Sequence, residues 1–436
     1  MQQLIHTLNH PIHTAITIPG SKSITYRALL LAALAEGQSK LSRICLNDET
    51  QVLIHALRQL GVVIQLDEKS RSCLITGCNG LFPQKQGTIW CQESFTLTRF
   101  LMAACAITAG VFYFDGSLAL RKKPISHLLR LLTRQGVQLI PSGSNKMPFT
   151  LAGTDALQGG EIHIDQTLHS VVSALLLIAP YAHMPFIFTL SEPSTHPYID
   201  LTCSMMAEFG VLVHRMHQGQ WMVPIPQRYE AKDYHIEPDF SIAAYFFAAV
   251  AICGGQLTIQ PMKRYQSKQS NIKFLSVLEK MGCQVIETHS GLSVKSTGEL
   301  HGIEINMHDY SGAFLALLAI APFAKSPTKI THINHLSKNK LKRLMLMRSE
   351  LIKRDIRVEM GQDWIEIFPG TPRGGNIHSH DDRHLAMAFA IIGLKVPHIV
   401  IEGTECVDRA YPEFFTQWNR LGEAENIPIA PEDAKL

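Results

Sequence analysis

The chain has 436 residues, 46% hydrophobic and 18% charged, and its 40 Lys and Arg against 37 Asp and Glu leave a net charge of +3. That length supports two or more domains with large cores, and so small a net charge excludes the global basic field of a nucleic-acid binder while leaving local anion sites open. The nine cysteines are odd in number, scattered and without a Cys-x-x-Cys pair, which predicts buried free thiols in a reducing compartment rather than a disulfide framework or a metal site. The apolar run at 14–18 stops at Pro19, and the longest apolar helical stretches reach about fifteen residues, short of the roughly twenty that span a bilayer. A cytoplasmic protein without a membrane partner is expected.

In chain order, the alternating stretch 14–18 predicts a strand. It turns through Pro19-Gly20-Ser21-Lys22-Ser23-Ile24-Thr25-Tyr26-Arg27 into a helix of small apolar residues over 28–35. A serine at the turn, the free N–H groups of a first helical turn and two cations five residues apart suit an oxyanion. The order Gly-Ser-Lys-Ser is not that of a P-loop. An ordinary capped helix with Lys22 and Arg27 in solvent fits the same residues.

Beyond this turn the chain repeats itself. An amphipathic helix ending in glycine, then a short β-branched strand, recurs at 56–64, 131–140, 205–213 and 277–286; Gly61, Gly136, Gly210 and Gly282 are spaced by 75, 74 and 72 residues. Each is expected just past a helix C-terminus in the left-handed conformation. A fifth copy at 351–358 carries Asp355 in the glycine's place, and 418–422 reads as a truncated sixth. A second phrase shares the period. Helices apolar on nearly all faces are predicted at 23–37, 94–110, 170–183, 240–255, 311–325 and 384–395.

A helix apolar all round must be buried on all sides. The expected fold is therefore α/β, a two-domain inside-out α/β barrel of six repeats of about seventy residues, with buried parallel helices inside and sheets outside. Crossing points near 18–20 and 231–235 predict a first domain at 20–235, a discontinuous second domain at 1–19 plus 236–425, and a tail at 426–436. If the helices run parallel, their positive ends converge on one anionic ligand.

Several motifs now carry a resemblance. The opening Pro19-Gly20-Ser21-Lys22-Ser23 with Arg27, the sixfold repeat, Pro197-Tyr198-Ile199-Asp200, Val277 to Gly282, Arg343-Leu344 and Asp382-Arg383-His384 with Ala386-Met387 together resemble the EPSP synthases over essentially the whole chain. The resemblance implies a cofactor-free, monomeric enzyme of aromatic amino acid biosynthesis. It would transfer the enolpyruvyl group of phosphoenolpyruvate (PEP) to the 5-hydroxyl of shikimate 3-phosphate, a small anionic substrate. That chemistry needs a proton for the PEP methylene, removal of the hydroxyl proton, and cations around two phosphates and a carboxylate.

Carried over residue by residue, the resemblance implies a catalytic Lys22 and substrate binding by Lys22, Ser23, Arg27, Tyr198, Arg343 and Arg409, with Ser170 where the family has glutamine and His196 where it has lysine. The chain departs from the pattern around PEP. Glu93-Ser94-Phe95 stand where the family has Asn-Ala-Gly, Ala119 and Lys123 replace two arginines, and His384 takes an arginine's place as Arg383 and His384 are transposed. The acid/base carboxylates fall on Gly312 and Lys340, with Asp309 three residues upstream of the former as a possible replacement. These departures predict a protein that holds a shikimate 3-phosphate-like ligand in an interdomain cleft with enolpyruvyl transfer impaired. The alternatives are a functional transferase, and a repurposed lyase or non-catalytic ligand sensor. Lys338, Lys340, Lys342 and Arg343 read on their own as a solvated helix face.

Overall fold

The computed structural model describes residues 1–423 apart from 142, 144, 165–168, 192–196, 218 and 307–312. The expectations placed on His196, Asp309, Gly312 and the tail at 426–436 lie outside the described residues.

The six apolar stretches form helices: Lys22–Leu34, Phe95–Ala106, His169–Ile178, Phe240–Cys253, Phe314–Ile320 and Arg383–Gly393. In the first, every residue from Ile24 to Leu34 is buried. The helix begins at Lys22, one residue before the start expected at 23, because Ser21 already directs its carbonyl to the Thr25 N–H at 2.8 Å. Burying each leucine of such a helix contributes about 1.5–3 kcal/mol, and this term, more than helix propensity, keeps these segments in place. The amphipathic phrase forms Asp48–Gln59, Ser126–Arg134, Pro197–Glu208, Phe274–Lys280, Lys338–Lys353 and Phe414–Asn419.

Gly61, Gly136, Gly210 and Gly282 take φ values of 90°, 96°, 88° and 110°, and Asp355 follows them at 62°. The fifth repeat thus keeps the left-handed cap with a residue that tolerates it only at some cost. The sixth repeat takes one of its strands from the other end of the chain.

Among the described residues five of the six sheets are built on one plan, a parallel pair followed by an antiparallel hairpin. In the second repeat Gln86–Trp90 lies parallel to Val111–Asp115, which pairs antiparallel with Phe149–Ala152, and Gln138–Ile140 closes the edge. In the first repeat the leading strand is Tyr234–His235, beside Gln38–Ser42. In the fourth it is Ile12–Thr17, beside Gly255–Gln260. The sixth sheet takes Gln2–Leu4 as its third strand, antiparallel to Ile399–Glu402, a strand that the alternation of three residues was too short to announce.

The chain divides into two compact units, 20–237 and 1–19 with 238–436. Each has its own core. The first is built around the helices starting at Lys22, Phe95 and His169, and the second around those starting at Phe240, Phe314 and Arg383, which pack on one another pairwise. No described helix is long and apolar enough to cross a membrane.

Helix ends and sheets meet tightly. A Cβ on Gly153, just past the Phe149–Ala152 strand, would lie 2.3 Å from the Cys105 carbonyl oxygen and 2.4 Å from that of Thr108. Both are backbone atoms and cannot rotate away. Gly153→Ala is expected to destabilise the 20–237 unit by about 1–3 kcal/mol, read as a lower urea midpoint in the full chain.

Candidate active site

The first unit gathers its candidate residues at the start of the Lys22–Leu34 helix. Ser21 occupies the N-cap position without a side-chain hydrogen bond to the helix, whereas Asn47 and Ser94 cap their helices with side chains. Lys22 is half-buried. Its ammonium donates to Glu49 Oε1 and sits 5.6 Å from the centroid of the Tyr26 ring, and the Tyr26 hydroxyl donates to Glu49 Oε2 at 2.8 Å. Desolvation opposes ionisation of Glu49, but the Lys22 charge and hydrogen bonds from Lys22, Ser94 and Tyr26 outweigh it and hold the carboxyl below its usual range. Glu49 was not legible as a site residue. Its only signal was an acidic residue in the first turn of a capped helix, which the helix dipole explains without a site.

Arg27 is 3% exposed. Its Nε donates to Thr202 Oγ1 at 2.8 Å, Nη1 to the Ser23 carbonyl at 2.9 Å, and Nη2 to Ser173 Oγ and the Tyr198 carbonyl at 3.3 and 3.2 Å. Four of the five donors of a guanidinium are therefore used within the protein, leaving one N–H. Burial lowers its pKa to about 10, with the Tyr198 and Cys203 side chains opposing the shift. The solvated Arg27 of the plain capped-helix reading is thus corrected: the side chain is interior and ties the first repeat to both helices of the third. Ser23 is half-buried beside it, and the Tyr198 side chain is exposed.

At the second buried helix, Arg99 lies over the Phe95 ring, its guanidinium carbon 3.9 Å from the centroid, and donates to Ser170 Oγ. The Lys123 ammonium is 5.8 Å from the same ring. Desolvation lowers the Arg99 pKa to about 10. Phe95 is therefore a platform for two cations as well as a bulky group at a helix start. Ala119 is exposed and brings no charge. The nearest arginine in sequence, Arg121, grips Asp115 through two hydrogen bonds of 2.8 and 2.5 Å.

In the second unit, Ser337 caps the Lys338–Lys353 helix. Lys338 and Lys342 are exposed, but Lys340 and Arg343 are not, which corrects the solvated-face reading for those two. Burial pushes Lys340 down to about 8, and the Arg343 charge adds to the effect. Arg343 Nε donates to Asp382 Oδ2 at 2.5 Å, while Asp382 Oδ1 caps the last buried helix through the N–H groups of His384 and Leu385 at 2.9 and 3.4 Å. His384 Nδ1 meets the Tyr245 hydroxyl at 3.2 Å. Arg409 pairs with Asp381. Seven of the nine cysteines are buried, and Cys78 and Cys203 are partly exposed, contrary to the expectation that all are buried; desolvation pushes the Cys73, Cys91, Cys203 and Cys253 thiols up to about 12.

The architecture has solved counterparts. The EPSP synthase of Acinetobacter baumannii superposes with a TM-score of 0.85 at 22% identity, over 97% of this chain and 98% of that one. An enolpyruvyl transferase of Streptomyces tendae gives 0.77 at 17%, over 96% of each. The fold is that of the enolpyruvyl transferases. In sequence, the 3-phosphoshikimate 1-carboxyvinyltransferase of Nostoc punctiforme is 37% identical over 423 residues, covering 96% of this chain and 99% of that protein. The enzyme of the same name from Methanoregula boonei is 34% identical over 416 residues, covering 94% and 98%. The profile of the EPSP synthase (3-phosphoshikimate 1-carboxyvinyltransferase) family matches residues 7–418. The chain belongs to the EPSP synthase family.

Two measurements test this geometry. Arg27→Lys removes the planar fork and leaves buried hydroxyls and carbonyls unpaired, so the full chain is expected to lose about 2–4 kcal/mol in urea unfolding. Lys340 is lowered from 10.5 to about 8 in the folded state, so the unfolded chain binds more protons between those values and stability rises with pH there. Lys340→Met is accordingly expected to raise Tm at pH 7, with the advantage shrinking as pH climbs from 8 towards 10.5.

Proposed function

We propose that the chain is a working 3-phosphoshikimate 1-carboxyvinyltransferase. The 5-hydroxyl of shikimate 3-phosphate gives up its proton and its oxygen bonds to C2 of PEP as the PEP methylene gains a proton. Loss of a proton from the resulting methyl group and departure of phosphate then form the enol ether. The observation that carries the reading is similarity to enzymes of that name through all six repeats, from residue 7 to 418.

The residues present suit these steps. Lys22, Ser23, Ser170, Tyr198 and the remaining N–H of Arg27 hold the phosphorylated ring. Lys22 also serves as a proton donor. Arg343 and Arg409 take the PEP anion, which makes the ligands small and anionic. Lys340, with an ammonium near 8, is able to exchange a proton close to neutral pH, the task a carboxylate performs at that position of the family pattern.

A second reading, ligand binding without transfer, is favoured by Phe95 and Arg99. At the start of the Phe95–Ala106 helix the aromatic ring and the guanidinium over it occupy the ground where the family pattern has glycine. One experiment separates the two. The purified protein is titrated calorimetrically with shikimate 3-phosphate and PEP, alone and together, and phosphate release is followed in the same mixtures. Release that requires both ligands and falls at least 100-fold in Lys22→Ala is the expected result. Binding of shikimate 3-phosphate without release overturns the transferase in favour of the second reading.

A further inference from the structure

The corner at 380–382 spends conformational energy on two carboxylates. His380 and Asp381 are consecutive non-glycine residues, each with φ of 55°, and a left-handed conformation costs an ordinary residue roughly 1–2 kcal/mol. Strain of this kind persists where the surroundings over-determine it and collects at functional sites. Here the anchor is Ser379, fully buried, whose Oγ donates to the Gly403 carbonyl at 2.7 Å and accepts from the Asp381 N–H at 3.3 Å.

The effect of the corner is to send neighbouring carboxylates to different arginines, Asp382 to Arg343 and Asp381 to Arg409. The two pairs are unequal. Asp382 also caps a helix, and its side chain is 21% exposed; it has three hydrogen bonds to lose and stays. Asp381 contributes no helix cap, and it and Arg409 are 72% and 51% exposed. An ion pair so open to water contributes at most about 1 kcal/mol, so an incoming anion separates it at little cost.

We infer that Asp381 is an affinity-setting residue, an internal counter-ion that holds the Arg409 guanidinium in position in the empty protein and is displaced from it by the phosphate or carboxylate of a ligand. The inference rests on the assignment of Arg409 to anion binding made above. The bound anion therefore competes with a tethered carboxylate, and affinity is lower than two arginines would otherwise provide.

The test is binding, which needs no turnover. Wild type, Asp381→Asn and Asp381→Glu are titrated with inorganic phosphate and with PEP at low ionic strength, and Tm is recorded for each. Asp381→Asn is expected to bind both anions about 3–10-fold more tightly, with Asp381→Glu close to wild type. Where transfer is measurable, KM for PEP falls in Asp381→Asn while kcat does not rise. Equal or weaker binding by Asp381→Asn overturns the inference. So does equal tightening by Asp381→Glu, or an absence of anion binding in all three. Tighter binding by Asp381→Asn in a protein that releases no phosphate leaves this inference standing and removes the transferase reading instead.

Discussion

Six helices with no polar face have to be hidden from water, and the rest of the molecule is arranged to do it. A sheet with one buried side cannot cover such a helix alone, so three repeats combine around each core. This requirement explains why the strands alternate between buried and exposed residues while the helices do not. It also explains why the charged residues of the first two of these helices, Lys22, Arg27 and Arg99, sit within their first two turns. A helix that must be apolar along its length can carry chemistry only at its ends.

Arg27 shows how closely packing and site are joined. One guanidinium reaches across 175 residues of sequence to Thr202 and also engages Ser173 and the Tyr198 carbonyl, so the positions of Ser23 and Tyr198 are set by the same bonds that hold the third repeat to the first. Arg99 does the same between the second and third repeats through Ser170. Arg27, which the family pattern marks for ligand contact, thus also bears the cost of being buried, and both arginines are driven down to about 10 by desolvation. A ligand anion returns to such groups some of the solvation that folding removed.

The candidate cations are held in two ways. Around Phe95 the cations are placed over an aromatic ring. Around Asp381 and Asp382 the arginines are paired with carboxylates. The departures from the family pattern fall into the same two groups. Phe95 introduces the ring, and Lys340 puts an amine of lowered pKa where the pattern has an acid. An isolated substitution list reads as loss of charge and of carboxylates, whereas the surroundings of Lys340 and Arg99 give the new residues properties that their names alone do not have.

By itself the sequence determined the six repeats, the buried helices, the left-handed caps at Gly61, Gly136, Gly210 and Gly282, and the candidate residues at the helix starts. These are consequences of local periodicity and backbone sterics, which act within about ten residues. Tertiary structure alone decided that Gln2–Leu4 completes the sixth sheet, that Glu49 meets Lys22, that Arg27 is interior, and that Lys340 differs from its exposed neighbours Lys338 and Lys342. The reason is the same in each case. Burial and charge partnership depend on residues brought from tens to hundreds of positions away, and neither pattern nor propensity carries that distance.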